Sequence, residues 1–299
     1  MSKRLFVVML AAWSGAAAAQ DADVAIRTEP VAPGVHVLYG SGGNIGVSSG
    51  PDGIFLIDDQ YAVVTPKITE ALAKLSPGPP RFVLNTHWHG DHTGGNENLA
   101  QQGTLVVAHD NVRLRMSTEQ FSKFFERATP ASPAAALPVV SFNDSLSFHL
   151  NGDEIRGVHV PAAHTDGDVF IHFRKANVIH TGDLVFAGMY PFIDLDSGGT
   201  VDGVIAAVDR MLALADDRTR IIPGHGEVTD KAGLAAYREM LAVTSGRVRE
   251  LVKAGKSVED VLAAKPNADF DEKLAWAFIT PERYARILYR DAAGAAAVR

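Results

Sequence analysis

A chain of 299 residues with 46% hydrophobic and 21% charged residues can bury an ordinary globular core, as one large domain or two small ones. Its formal net charge of -7 provides no basic stripe for a nucleic acid. Cysteine is absent, which excludes thiolate ligands, a cysteine nucleophile, disulfides and a lipid-modified N-terminus.

Lys3 and Arg4, the apolar run Leu5 to Ala12 and the small residues Ala16 to Ala19 predict a signal peptide over residues 1–19. The apolar run falls short of the roughly 20 residues that span a bilayer, so no stable membrane insertion is expected. Export to the periplasm or beyond is the expected address, with a single domain over 20–299 whose C-terminal part is helical.

Gly34 to Tyr39 and Asn44 to Val47 predict two strands joined by a glycine-rich turn. Gly46-Val47-Ser48-Ser49-Gly50 spells G-x-S-x-G, but a nucleophile on that pattern needs a helix after it. Pro51-Asp52-Gly53 signals a turn instead, and Ile54 to Ile57 a third strand, closed by Asp58-Asp59. Val63 to Leu75 predicts a helix, Ser76 to Pro80 a break, and Phe82-Val83-Leu84 a further strand.

The densest chemistry follows at once, in Asn85-Thr86-His87-Trp88-His89-Gly90-Asp91-His92. If the strand continues, His87 and His89 share its period of two and point the same way. Gly90 then breaks the line, and Asp91 and His92 swing elsewhere, towards a helix expected to begin near Gly94-Gly95. One segment can thus serve two neighbouring metal sites.

Beyond it, a helix over Asn96 to Gln102 and a strand over Thr104 to Ala108 give a β-α-β rhythm. His109 reads as a helix-start residue. Asn111 to Arg127 predicts a helix with Phe121, Phe124 and Phe125 on one face. Thr129 to Pro138, with three Pro and four Ala, predicts a loop across the mouth of a site. Ser145–Leu150, Glu154–Val160, Val169–Phe173 and Val178–His180 predict four strands. His149, His159 and His172 lie within them as sheet residues, and His180 is assigned packing or support. Asp202 to Ala215 predicts an amphipathic helix, Arg220 to Pro223 a strand, and Lys231 to Arg299 a mainly helical tail.

Three further donors each follow a predicted strand: His164 in Ala163-His164-Thr165-Asp166-Gly167-Asp168, Asp183 in His180-Thr181-Gly182-Asp183, and His225 in Pro223-Gly224-His225-Gly226. Loops past strand ends are where sites gather. With the H-x-H-x-D-H segment, these motifs resemble the metallo-β-lactamase superfamily over roughly Val35 to Glu227. The resemblance implies an α/β fold, a four-layer αβ/βα sandwich, where alternation of strands and helices alone implies only α/β.

It also implies two metal groups, one from His87, His89 and His164 and one from Asp91, His92 and His225, with Asp183 bridging the metals or leaning on the second. Asp58 would support the ligands from behind. Imidazole and carboxylate donors suit two Zn²⁺, and also iron or manganese. The implied activity is a hydrolase that activates water to attack the carbonyl of an amide, ester, lactone or thioester, with Asp91 orienting the water and moving a proton. The expected partner is therefore a small-molecule substrate. Trp88 and Tyr190 are candidates for the mouth.

Relatives of the β-lactamase kind place a Cys where Asp183 stands, and many carry a Lys where Phe186 stands. Asp at that point is the pattern of glyoxalase II-like thioesterases and lactonases. Export favours β-lactams and cell-wall-like amides instead, so β-lactamase-like hydrolysis stays open beside ester, lactone or thioester hydrolysis. Redox chemistry at iron, or a non-catalytic metal-binding role in a periplasmic oxidation system, is the third reading.

Overall fold

The structure is a computed structural model that describes residues 24–297; the expected signal peptide lies outside them. The chain first lays down four antiparallel strands, β1 (Arg27–Ala32), β2 (Val35–Tyr39), β3 (Ile45–Gly50) and β4 (Gly53–Ile57). β3 and β4 are joined by the turn at Pro51-Asp52, so Ser48 sits inside a hairpin and not on a nucleophile elbow. Parallel strands β5 (Phe82–Leu84) and β6 (Leu105–His109) extend the same sheet. A separate hairpin, β7 (Gln120–Ser122) with β8 (Arg127–Thr129), precedes its last strand, β9 (Val140–Phe142).

The second sheet is antiparallel through β10 (Ser145–Leu150), β11 (Asp153–His159), β12 (Val169–Phe173) and β13 (Val178–His180). β14 (Arg220–Ile222) joins β13 in parallel, and β15 (Thr229–Asp230) closes the edge.

Period-two alternation decides what each strand buries. In β4, Phe55 and Ile57 face the second sheet, while Ile54 and Leu56 turn to the helices outside. Leu84 and Val107 follow the inward pattern and Val83 and Val106 the outward one. Opposite them, Val169, Ile171 and Phe173 of β12 complete the layer between the sheets, and Phe170 faces the other way. Helix Thr65–Ala73 covers one outer surface through Ile68 and Leu72. Helices Val201–Leu214, Lys231–Lys253 and Pro281–Ala297 cover the other. The result is the expected four-layer sandwich.

Two elements depart from expectation. β1 comes from a polar stretch with no strand pattern; as an edge strand it tolerates Pro30, where the register shifts. The helix expected over Asn111 to Arg127 is Asp110–Met116 only. Ser117 and Thr118 turn their hydroxyls back to the Leu114 carbonyl, at 2.9 and 3.0 Å, a local bonding that competes with helix propagation. The chain then reverses as β7–β8, with Glu126 at φ 50° in the turn. The i, i+3, i+4 spacing of Phe121, Phe124 and Phe125 therefore belongs to a hairpin.

Candidate metal centre

β5 ends at Leu84, and residues 85–89 leave the sheet as a loop. His87 and His89 therefore do not continue the strand, yet the loop brings His87 Nε2 to 3.1 Å from His89 Nδ1. His164, from the loop after β11, adds its Nε2 3.0 Å from the same His89 nitrogen. A short helix begins at Gly90, earlier than expected, and turns Asp91 and His92 away from this group. His225, in the loop after β14, meets them: its Nε2 lies 3.3 Å from an Asp91 oxygen.

The ligand atoms within each group, His87–His89–His164–Asp183 and Asp91–His92–His225, all lie within 4.8 Å of one another. Asp183, in the turn after β13, spans the two. Its Oδ2 faces His87 and His164 at 3.8 and 3.7 Å, and its Oδ1 faces His92 and His225 at 3.0 and 3.4 Å. All seven residues singled out in the sequence are thus brought together.

Four of the five imidazoles have their far nitrogen engaged by a neighbour. His89 Nε2 donates to Asp194 at 2.9 Å and His164 Nδ1 to the Phe192 carbonyl at 2.9 Å. His92 Nδ1 donates to Asp58 Oδ2 at 2.7 Å. His87 Nδ1 donates to the Thr86 hydroxyl at 3.0 Å, and that hydroxyl donates to the same Asp58 oxygen at 2.8 Å. Those four rings thereby turn their other nitrogen towards the centre, the orientation that metal-ligating imidazoles require.

Several such acceptors facing one another in a buried space need a cation or a proton among them. The sharpest case is His92 Nε2 and Asp183 Oδ1, 3.0 Å apart and both without a hydrogen bond. The donor set fits two divalent cations of the Zn²⁺ type.

The electrostatics follow the same division. Burial holds His87 well below the usual imidazole value and takes His164 down to about 4. Burial alone would also depress His92 and His225, but the Asp183 and Asp91 carboxylates outweigh it. His92 is held well above its usual value and His225 rises to about 9. Burial is likewise outweighed at Asp91, which the facing His92 and His225 bring down to about 2. In water-poor surroundings a trapped proton and a divalent cation satisfy these carboxylates in the same way.

The loops fit closely. Asn44 donates to the carbonyls of Pro223 and Gly226, at 2.9 and 2.7 Å, and so fixes the His225 loop. A Cβ on Gly43 would lie 2.1 Å from the His92 ring, and one on Gly224 2.1 Å from Asp183 Oδ1.

Other expectations resolve as follows. Asp58 supports both groups, as expected of a carboxylate behind the ligands. His109 caps helix Asp110–Met116 and stacks on His159 at 3.7 Å. His180 packs against Asn44, donating to its carbonyl at 3.0 Å. Trp88 is half-buried, packing on Val112 and Met116 with its ring 4.9 Å from His89. Tyr190 does not reach the mouth: it is fully buried, stacked on Tyr284 and bonded to Asp271. In segment Thr129 to Pro138, Ala136 packs beside Trp88 and accepts from Asn96. Phe186 offers no site for a substrate carboxylate, because its buried ring stacks under His225 at 5.0 Å. Asp194, Asn44 and Thr86 were not visible as functional residues. Each acts through side-chain hydrogen bonds to residues distant in sequence, which no spacing rule records.

Comparison with known proteins agrees with this geometry. The family model described as the metallo-beta-lactamase superfamily matches residues 39–225. The lactamase-like protein aptB of Emericella nidulans is 28% identical over 149 residues, 50% of this chain and 39% of that protein. Hydroxyacylglutathione hydrolase of Nitrosococcus oceani is 29% identical over 167 residues, 52% of each. The chain spans about half the length of such curated relatives. Among solved structures, the sec-alkylsulfatase Pisa1 from Pseudomonas sp. superposes with a TM-score of 0.69 at 20% identity, over 89% of this chain and 50% of that one. A metallo-beta-lactamase from Pontibacter korlensis gives 0.60 at 18% identity, over 72% and 98%. With the model matched across both sheets and every motif gathered at one centre, the chain belongs to the metallo-β-lactamase superfamily.

Proposed function

We propose that the protein is a dinuclear metal-dependent hydrolase of carbonyl substrates, and that esters, lactones or thioesters are preferred to β-lactams. The observation that carries this reading is Asp183, with one oxygen towards each group of ligands. Two divalent ions held there supply Lewis acidity that activates water near neutral pH and polarises a carbonyl.

The chain's residues supply the rest. His87, His92, His164 and Asp183 are buried, whereas the side chains of His89, Asp91 and His225 are 16, 22 and 19% exposed. Substrate therefore meets the centre on the face made by those three. Asp91 is the carboxylate on that face, placed to orient a water and accept its proton. A shared carboxylate adds negative charge where a thiolate would bind one ion only, and so weakens the polarising power available. Substrates with better leaving groups need less of it. The hydroxyacylglutathione hydrolases among the relatives favour the same choice.

The test is kcat/KM for a cephalosporin, a carbapenem, a lactone and a thioester on one zinc-loaded preparation with about two ions per chain. A β-lactam better than the others by more than tenfold, about 1.4 kcal/mol, overturns the preference. Loss of no more than a trace of metal in His87→Ala and His225→Ala would overturn the ligand assignment. We also propose export, on Lys3, Arg4 and the apolar run that follows them. A mature N-terminus near Gln20 supports it, and an intact Met1 in the native host removes it.

A further inference from the structure

The ligands are flanked by an arc of aromatic rings. Phe192 begins it, 5.9 Å from both His89 and His164. Phe278 packs on Phe192 at 5.8 Å, Trp276 on Phe278 at 5.3 Å, and Phe186 on Trp276 at 6.5 Å. Phe186 returns the arc to the second group through its stack on His225. The arc thus connects one half of the centre to the other without a charged side chain among its rings.

The β7–β8 hairpin adds an outer rank. Phe124 lies 4.9 Å from Phe192, and Phe125 stacks on Phe278 at 5.8 Å with planes 12° apart. Phe125 is nevertheless 50% exposed. A hairpin tip that needed only to be anchored would be served by Phe124 alone. A half-exposed ring beside the centre leaves apolar surface for something else to cover.

Three arginines near the arc are already committed. Arg115 is paired bidentately with Asp166, Arg290 with Asp196, and Arg283 donates to the Phe278 carbonyl. The rings that remain partly exposed, Phe124, Phe125, Trp276 and Phe278, reward apolar area.

We propose that this arc is the acyl-binding wall of the centre, and that the substrate carries an uncharged apolar acyl group of medium length or an aromatic one. Phe125 and Phe278 clasp its far end, and Phe192 aligns the part next to the scissile bond beside His89. The inference rests on the hydrolytic reading above and specifies its substrate class.

The experiment uses the zinc-loaded protein and p-nitrophenyl acetate, butyrate and octanoate. Burying a methylene contributes about 0.8 kcal/mol, so kcat/KM should rise at least tenfold from acetate to octanoate. In Phe125→Ala the fall should deepen with chain length, to about tenfold on octanoate, with metal content unaltered. Phe125→Leu, which keeps apolar area, should recover most of it. Octanoate binding, followed by calorimetry and by Trp276 fluorescence, reads the wall without any turnover and should weaken in Phe125→Ala in step. A flat chain-length series, or equal losses on acetate and octanoate, overturns the proposal. If no ester is hydrolysed but octanoate still binds in a Phe125-dependent way, the hydrolytic reading fails and the wall stands; absent octanoate binding, the wall fails.

Discussion

Asp168 shows how a carboxyl can serve the centre without touching it. It lies fully inside the His164 loop, where its oxygens accept from the Thr165 amide and hydroxyl at 2.8 and 2.5 Å. Burial outweighs those bonds and pushes its pKa up to about 7. The unfolded chain titrates this group near 3.8, so the fold favours the protonated form. Its contribution to stability is greatest below about pH 4, falls as pH rises to about 7, and levels off above that. Asp168→Asn carries no such term. Its melting temperature relative to the parent should therefore be a few degrees more favourable at pH 8 than at pH 5, read by calorimetry at both. An unchanging difference would mean that Thr165 holds the carboxylate charged. At this scale the candidate ligands were legible because seven donors stand in short motifs. Asp194 was not, since in Phe192-Ile193-Asp194-Leu195 nothing marks it as the acceptor for His89, more than a hundred residues away.

Among the elements, strand alternation was the dependable signal and termination the poor one. β4 and β12 read correctly because one face meets the other sheet and one meets helices. The Phe-rich stretch misled because three rings at helical spacing fit a hairpin tip equally well once Ser117 and Thr118 stop the helix. The loop beginning at Gly43 makes a tighter demand. Its backbone carries Asn44, which holds the His225 loop, and passes so near His92 that a methyl group would overlap the ring. Gly43→Ala should displace His92 or the loop, losing about half of the bound metal and several degrees of melting temperature. Elemental analysis and circular dichroism check this; two full equivalents of metal in a protein of parental stability would show that the loop yields freely.

Across the whole molecule, the candidate ligands divide between the halves. His87, His89, Asp91 and His92 come from the first sheet's loops, and His164, Asp183 and His225 from the second's. Any cation held by both groups crosslinks the two sheets at one end, adding to the apolar layer between them. An ion present at a thousand times its dissociation constant stabilises the folded state by about 4 kcal/mol. For a chain of this size, complete chelation should lower the melting temperature by roughly 5–15 °C. Differential scanning with and without chelator measures it, and an unmoved transition would mean that the sandwich holds its seam alone. This architecture was legible in outline from the alternation of elements. The edge strand β1 was not, because an edge buries too little to leave a pattern.

One acceptor oxygen on Asp58 receives both the His92 ring and the Thr86 hydroxyl that steadies His87. The two groups of ligands are consequently not independent compartments. Fixing His92 with an ion orders that shared oxygen, and with it the posture of Thr86 and His87. The benefit must be reciprocal: whatever factor the first ion adds to the affinity for the second, the second returns to the first. If both groups take an ion, this link predicts cooperative loading, with half-filled molecules scarce in a titration of the parent protein with metal.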